Sequence, residues 1–413
     1  TAELIGKEAQ LKRRNEGLTM SLLMQDLLNR SRLSNSRSLA SALIDIPEDR
    51  RDWEWGYALR MTQLPEMILK GHAREVVWSE FNRNGARVVT ASWDDTAVVW
   101  DSITGIRLMT LVHPQDVEVA RFSPDDRYIF TGCDDGIVRR WPVPPAVDSS
   151  TSITIQPEDA NVMSIPVARS IIRSLDFSDD NTCLAVASDD GMVRLYEMQP
   201  DSVVPRQELR YFQGARINSV AFAPDSLHLI AAGIRWQPVA WFHSQGAWSR
   251  FEFEGIHDDA LGYADFSPDG LRVLSASYDG SIGIWDIRKR SLIRRIEVLN
   301  SRIISARLLP GENSLCALAV ADGSIQIRSL EGDIDPIIGK PHTGVVASVN
   351  FTQDYTRLIT SSYDNSAAIL SVRHLISSPQ SNAVLTLPHQ SSVKPAHFDD
   401  SGQYVATEIE SVV

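Results

Sequence analysis

The stretch GHAREVVWSEFNRNGARVVTASWDDTAVVWD, residues 71–101, decides the fold, because its skeleton returns down the chain. His72 is followed nine residues later by Phe81, eighteen later by Thr90, and then by Asp94 and Trp100. Eight copies align on this frame, and five carry the histidine: His72, His113, His257, His342 and His389. Their aromatic slot holds Phe81, Phe122, Phe266, Phe351 and Phe398, and their small hydroxyl is Thr90, Thr131, Ser275, Thr360 or Thr407. Four copies continue to an aspartate (Asp94, Asp135, Asp279, Asp364), and three of those close on Trp100, Trp141 or Trp285. A fixed period constrains architecture before any local reading does. Here it is 41 to 55 residues, which suits a four-stranded unit repeated around a ring.

Within each copy the pattern reads as consecutive hairpins. Apolar residues such as Val76-Val77, Ile172, Ile217 and Val345-Val346 precede the aromatic slot. A turn follows, as in Ser123-Pro124-Asp125-Asp126 or Ser267-Pro268-Asp269-Gly270, and then a second buried run such as Tyr128-Ile129-Phe130. A tight aspartate turn leads to a third strand, as in Ser281 to Trp285, and Ile106 to Leu111 or Leu292 to Val298 supplies a fourth. Apolar runs punctuated in this way favour antiparallel neighbours.

Histidine, hydroxyl, aspartate and tryptophan form one hydrogen-bond chain when buried together. The aspartate accepts from the imidazole, the hydroxyl bridges, and the indole N–H donates at the far end. Each group alone is costly inside a protein; together they satisfy one another. The set resembles the structural tetrad of the WD-repeat β-propeller family, on Gly71-His72 with Trp100-Asp101 and on His257 with Trp285-Asp286. The resemblance covers roughly residues 66–413 and implies an all-β propeller of four-stranded antiparallel blades, seven complete copies and a partial eighth. Other copies have lost most of the set. The third has Ala168, Val186, Asp190 and Tyr196; the fourth Gln213, Ala231, Arg235 and Trp241; the sixth Asn300, Leu309, Leu318, Asp322 and Arg328; and the seventh ends on Leu370. Joint loss is expected, since a half-satisfied buried network is worse than an apolar one.

Residues 1–62 read differently, as a short α-helical prefix to a propeller region spanning 63–413. Leu18, Leu22, Leu23, Leu27 and Leu28 recur at helical spacing, Ser34-Asn35-Ser36 offers an N-cap, and Leu39, Leu43 and Ile44 resume the pattern. Arg51-Asp52-Trp53-Glu54-Trp55 opens a third short helix. This prefix resembles the one that precedes WD-repeat arrays in large bacterial serine/threonine kinases. The sequence itself carries no Gly-rich phosphate loop, His-Arg-Asp loop or Asp-Phe-Gly motif. The first residue, Thr1, and the stop at Glu410-Ser411-Val412-Val413 suggest a fragment of a longer array. Ring closure has two solutions: an eight-bladed ring completed by residues 66–70, or a seven-bladed ring followed by the start of a second propeller.

Composition limits the function classes. A net charge of −13 argues against a nucleic-acid footprint, and no run of eighteen apolar residues suggests a membrane span. Cys133, Cys183 and Cys316 lack metal-ligand spacing and read as small core residues. The His–Ser/Thr–Asp sets superficially match an acyl-transfer triad, but they recur inside successive units and lack a nucleophile elbow. A hydrolase or lactonase with ligands in the central channel is the enzymatic alternative; the innermost strands look mostly Val, Ile, Ser and Ala, with Glu118 and Asn218 as exceptions. The expectation is a non-catalytic binding module with no cofactor and no metal, taking a protein or peptide on its top face. In the family, contacts come from the residue before the turn aspartate and from the start of the innermost strand. Carried over, these are Trp93, Tyr278 and Tyr363, with Trp78 and Tyr263, as aromatic anchors. Asp134 and Asp189 hold the same pre-turn place, and Arg235 and Trp236 are the weaker fourth-copy candidates.

Overall fold

The structure, a computed structural model, describes residues 65–144, 152–254, 257–298, 301–309, 315–330 and 336–372, and two short strands, His397–Phe398 and Val405–Ala406. The expected helical prefix, Asn300, His389 and Thr407 lie outside these residues. Among the described residues the regular elements are all strands.

Each blade begins on an innermost strand that ends at or beside the aromatic slot. In order these are Val76–Phe81, Val117–Phe122, Ile172–Phe177, Ile217–Phe222, Leu261–Phe266, Ile303–Leu308 and Val346–Phe351. In the sixth copy the slot is therefore Leu308, one residue before the Leu309 that fixed spacing selects. Each innermost strand neighbours those of the blades before and after it, and the first neighbours the seventh, so seven blades close a ring. Phe81, Phe122, Phe177, Phe222 and Phe266 are buried, which ties the recurring aromatic to the packing between blades. The turn that follows needs one left-handed residue. Gly85 (φ 70°) and Gly270 (φ 68°) take it freely, whereas Asp126, Asn181, Ser226 and Tyr355 accept it with a side chain.

A β-bulge recurs in all seven blades, one residue into the innermost strand. Val76 pairs with Ser92, and the next pair is Trp78 with Ala91, leaving Val77 unpaired. The same shift follows Val117, Ile172, Ile217, Leu261, Ile303 and Val346. A bulge re-aims the extra side chain. Here the extra residues include Glu118, Arg173 and Asn218, which are half-buried and bond across to neighbouring blades.

Met67–Lys70 closes the ring. It pairs antiparallel with Ser366–Ser371, from Met67 against Ile369 to Lys70 against Ser366. Of the two closures the sequence allows, the eight-bladed one is excluded: residues 66–70 complete the seventh blade, because its third strand is the edge left open there. Residues 378–413 form a separate unit, described by the pairing of His397–Phe398 with Val405–Ala406. Blade one also gains a fifth strand, Ile153–Ile155, which runs parallel to its outer strand Arg107–Val112. The three cysteines are buried, and burial pushes their thiols up, to about 12 for Cys133 and Cys316 and about 11 for Cys183.

Candidate interaction site

The upper face of the ring is the one carrying the histidine loops and the aspartate turns. In blade one the four residues link as a chain. Trp100 Nε1 donates to Thr90 Oγ1 at 2.8 Å, Thr90 lies 2.7 Å from His72 Nε2, and His72 Nδ1 lies 2.9 Å from Asp94 Oδ2. Burial pushes the Asp94 carboxyl up, but the hydrogen bond and charge of His72, with Thr96 and the Ala73 amide, hold it well below the usual carboxylate range. Blade seven repeats the histidine contacts, with His342 at 2.8 Å from Thr360 and 3.1 Å from Asp364. In blade five His257 meets Ser275 at 2.8 Å and Trp285 donates to the same hydroxyl at 3.0 Å. There Asp279 is reached through Ser281, whose hydroxyl is 2.8 Å from His257 and donates to the carboxylate at 2.6 Å.

Blade two differs. His113 lies 2.7 Å from Thr131, and Trp141 donates to that hydroxyl at 2.8 Å, but His113 Nδ1 turns to the Leu111 carbonyl at 3.1 Å. Asp135 instead accepts from Arg139 at 2.6 Å. Burial and the Arg139 charge push the His113 imidazole down to about 3. Two side chains explain the change: Arg139 stands where blade one has Val98, and Ile137 stands where it has the helping hydroxyl of Thr96.

At the upper mouth of the channel the bulge residues meet the residues before the aspartate turns. Trp93 Nε1 donates to Glu118 at 3.2 Å, and Arg173 donates to Glu118 at 2.5 Å and to Asp189 at 3.1 and 3.2 Å. Burial outweighs the Arg173 charge and raises the Glu118 carboxyl to about 7. Burial also raises Asp134, whose Oδ1 has no hydrogen-bond partner. Trp93 packs on Tyr363 of the neighbouring blade, ring centroids 5.2 Å apart. Tyr363 is 39% exposed, and Trp93 and Tyr278 are half-buried, with Arg302 5.7 Å from the Tyr278 ring. Trp236, on the blade-four loop, is 61% exposed beside Arg235, which packs over Phe212 at 5.2 Å.

Two of the five expected anchors are not on the surface. Trp78 and Tyr263 are 8% and 6% exposed and lie in the core. Arg121 covers Trp78 at 5.8 Å and Arg307 covers Tyr263 at 4.7 Å. The reading of the innermost strands as apolar is also corrected. Just before the aromatic slot the blades carry, in order, Glu80, Arg121, Asp176, Ala221, Asp265, Arg307 and Asn350. Arg121 bridges Glu80, at 2.7 Å, and Asp176. Arg307 bridges Asp265 and Asn350, the latter at 2.9 Å, and Asn350 donates to the Ser79 carbonyl at 2.7 Å. The sequence signal was the residue preceding each slot, which is an arginine in blades two and six and a carboxylate or amide in the blades on either side of them.

The WD domain, G-beta repeat model matches residues 63–101, 105–142, 161–197 and 254–286. These four segments are WD40 repeats. They run through blades one, two, three and five, and so include the degenerate third copy. The rat serine-threonine kinase receptor-associated protein is 26% identical over 238 residues, covering 52% of this chain and 67% of that protein. Its Dictyostelium discoideum counterpart is 26% identical over 245 residues, 52% of this chain and 81% of that protein. Human pre-mRNA-processing factor 17 is 25% identical over 272 residues, 62% of this chain and 43% of that protein. Among the described residues, no group of three or more His, Cys, Asp or Glu could hold a metal ion, and no helix is long and apolar enough to cross a membrane.

Proposed function

We propose that the chain is a non-catalytic protein- or peptide-binding scaffold that takes its partner at the upper mouth. The observation that carries this reading is the Trp93–Tyr363 pair. Two aromatic rings from adjacent blades stand at the mouth of a rigid ring, braced by Glu118 and Arg173. Aromatic side chains held in place lose little freedom on binding, which makes them effective anchors. The His–hydroxyl–Asp sets serve the fold in this reading: Thr90, Thr131, Ser275 and Thr360 are fully buried, each committed to its histidine. We further infer that the ring is the binding region of a larger bacterial signalling protein such as a serine/threonine kinase, with residues 1–62 as a helical prefix and 63–413 as the repeat array. The Arg51–Trp55 segment supports that setting.

The test is selection of binders from a random-peptide library on the purified chain. Hydrogen exchange then maps the footprint of the best peptide. The reading requires protection around Trp93, Tyr278 and Tyr363. A footprint confined to the outer strands would overturn it, as would saturable esterase or lactonase turnover abolished by one channel substitution.

A further inference from the structure

The lower mouth of the channel, on the face opposite the aspartate turns, opens into a cavity of about 560 Å³. The slot side chains of all seven blades line it. Phe81, Phe122, Phe177, Phe222, Phe266 and Leu308 are each 5–8% exposed, so the edge of each side chain stays uncovered. Pro124, Pro224 and Pro268 continue the apolar surface to the rim, where Asp179 has no hydrogen-bond or ion-pair partner. Apolar edges around a free acceptor match an indole, which brings a broad ring and a single N–H donor.

The chain itself supplies indoles beside this opening. Met67–Lys70 is the outer strand of blade seven. Lys70 pairs with Ser366, next to the aspartate turn, so Met67, paired with Ile369, stands toward the lower face. The segment that leads into Pro65 therefore comes from below the ring. It carries Trp53, Tyr57, Met61 and Leu64 at helical spacing, one apolar stripe, with Trp55 and Leu59 on another side. Blade seven also forms part of the cavity wall, through Phe351, Thr352, Gln353 and Tyr355. From its outer strand to its innermost one, Val346–Phe351, is three strand spacings, about 14 Å. Trp53 precedes Pro65 by twelve residues, about 18 Å at helical rise. The stripe is thus long enough to run from the outer rim of blade seven to the cavity, with Trp53 at its far end.

We propose that residues 53–64 of this chain dock beneath blade seven and seat Trp53 in the lower mouth. The contact is made in cis, so it stands or falls independently of what the upper mouth binds. The experiment is bimane labelling of the full chain at Gln353→Cys, an exposed position on the blade-seven wall of the cavity. The three native cysteines are buried, which directs the label to this site. An indole in contact with bimane quenches it. Emission is expected to rise in Trp53→Phe and to stay at the unsubstituted level in Trp55→Phe, because residues two apart on a helix do not share a face. Amide exchange across residues 351–357 gives the same reading without a label, and should be faster in Trp53→Ala than in the wild type. Equal emission with and without Trp53, or unchanged exchange, would overturn the proposal. So would quenching of the labelled Trp53→Phe chain by added unlabelled wild type, which would assign the indole to a second copy.

Discussion

Asp94 and Asp135 hold the same place in successive blades yet have different partners, and the difference sets what each is worth. Asp94 serves His72, Thr96 and the Ala73 amide. Asp94→Ala strands a buried imidazole N–H and should cost about 1–3 kcal/mol. Asp322→Ala removes contacts with its own turn residue, Ser324, and should cost clearly less. Urea unfolding of both variants checks this; equal losses would contradict it. His113 gives a pH prediction. Its imidazole is depressed to about 3, so the unfolded chain binds the extra proton first as pH falls. The stability it contributes is complete above its ordinary value near 6.5 and is lost progressively as pH falls toward about 3. Arg139→Val, which restores the blade-one residue, removes a buried guanidinium whose Nε and Nη1 lack partners. It should free Asp135 for His113 and raise the histidine's titration midpoint by NMR; an unchanged midpoint would show that Asp135 does not reach the ring. At this scale the sequence revealed which four residue types belong together. It did not show who bonds whom, because Arg139 and Ile137 act from positions outside the repeating set.

At the scale of the element, the consequential strand is a short one that is easy to overlook. Met67–Lys70 has four residues, yet it covers the last open edge of the ring. Leu69 is 2% exposed and packs with Trp100, Ile359 and Ile369. Leu69→Ala should cost about 2–5 kcal/mol, as for other buried leucines. By contrast, Ile153–Ile155 is a largely exposed fifth strand on blade one, and Thr154→Pro should cost little. Thermal melts of the two variants distinguish them, and comparable losses would mean that the fifth strand is integral to the blade. The hairpin pattern was readable from turns and apolar runs because both are local. Which blade the closing strand joins was not, since that pairing spans the whole ring and carries no local signal. The parallel strand Ile153–Ile155 went unread for the same reason: its partner lies in an earlier blade.

For the whole molecule, seven similar wedges around a channel leave two mouths with different chemistry. The upper one combines Trp93 and Tyr363 with the Glu118–Arg173–Asp189 links, and the lower one holds the incomplete ring of charges. Counting residues from the histidine slot picks out Trp93 and Tyr278, which are half-buried, and Tyr363, which is exposed. The same counting placed Trp78 and Tyr263 with them. It could not register that the innermost strands bear arginines, which draw both rings inward to stack beneath them. The central claim is that the aromatic pair at the upper mouth anchors a partner. The most direct measurement is the affinity of a library-selected peptide for the wild type, Trp93→Ala and Tyr363→Ala, alongside their melting temperatures. The account predicts that each substitution weakens binding by about 30-fold, or 2 kcal/mol, while melting is nearly unchanged. Variants that melt early and bind normally would contradict it and make the two rings caps between blades.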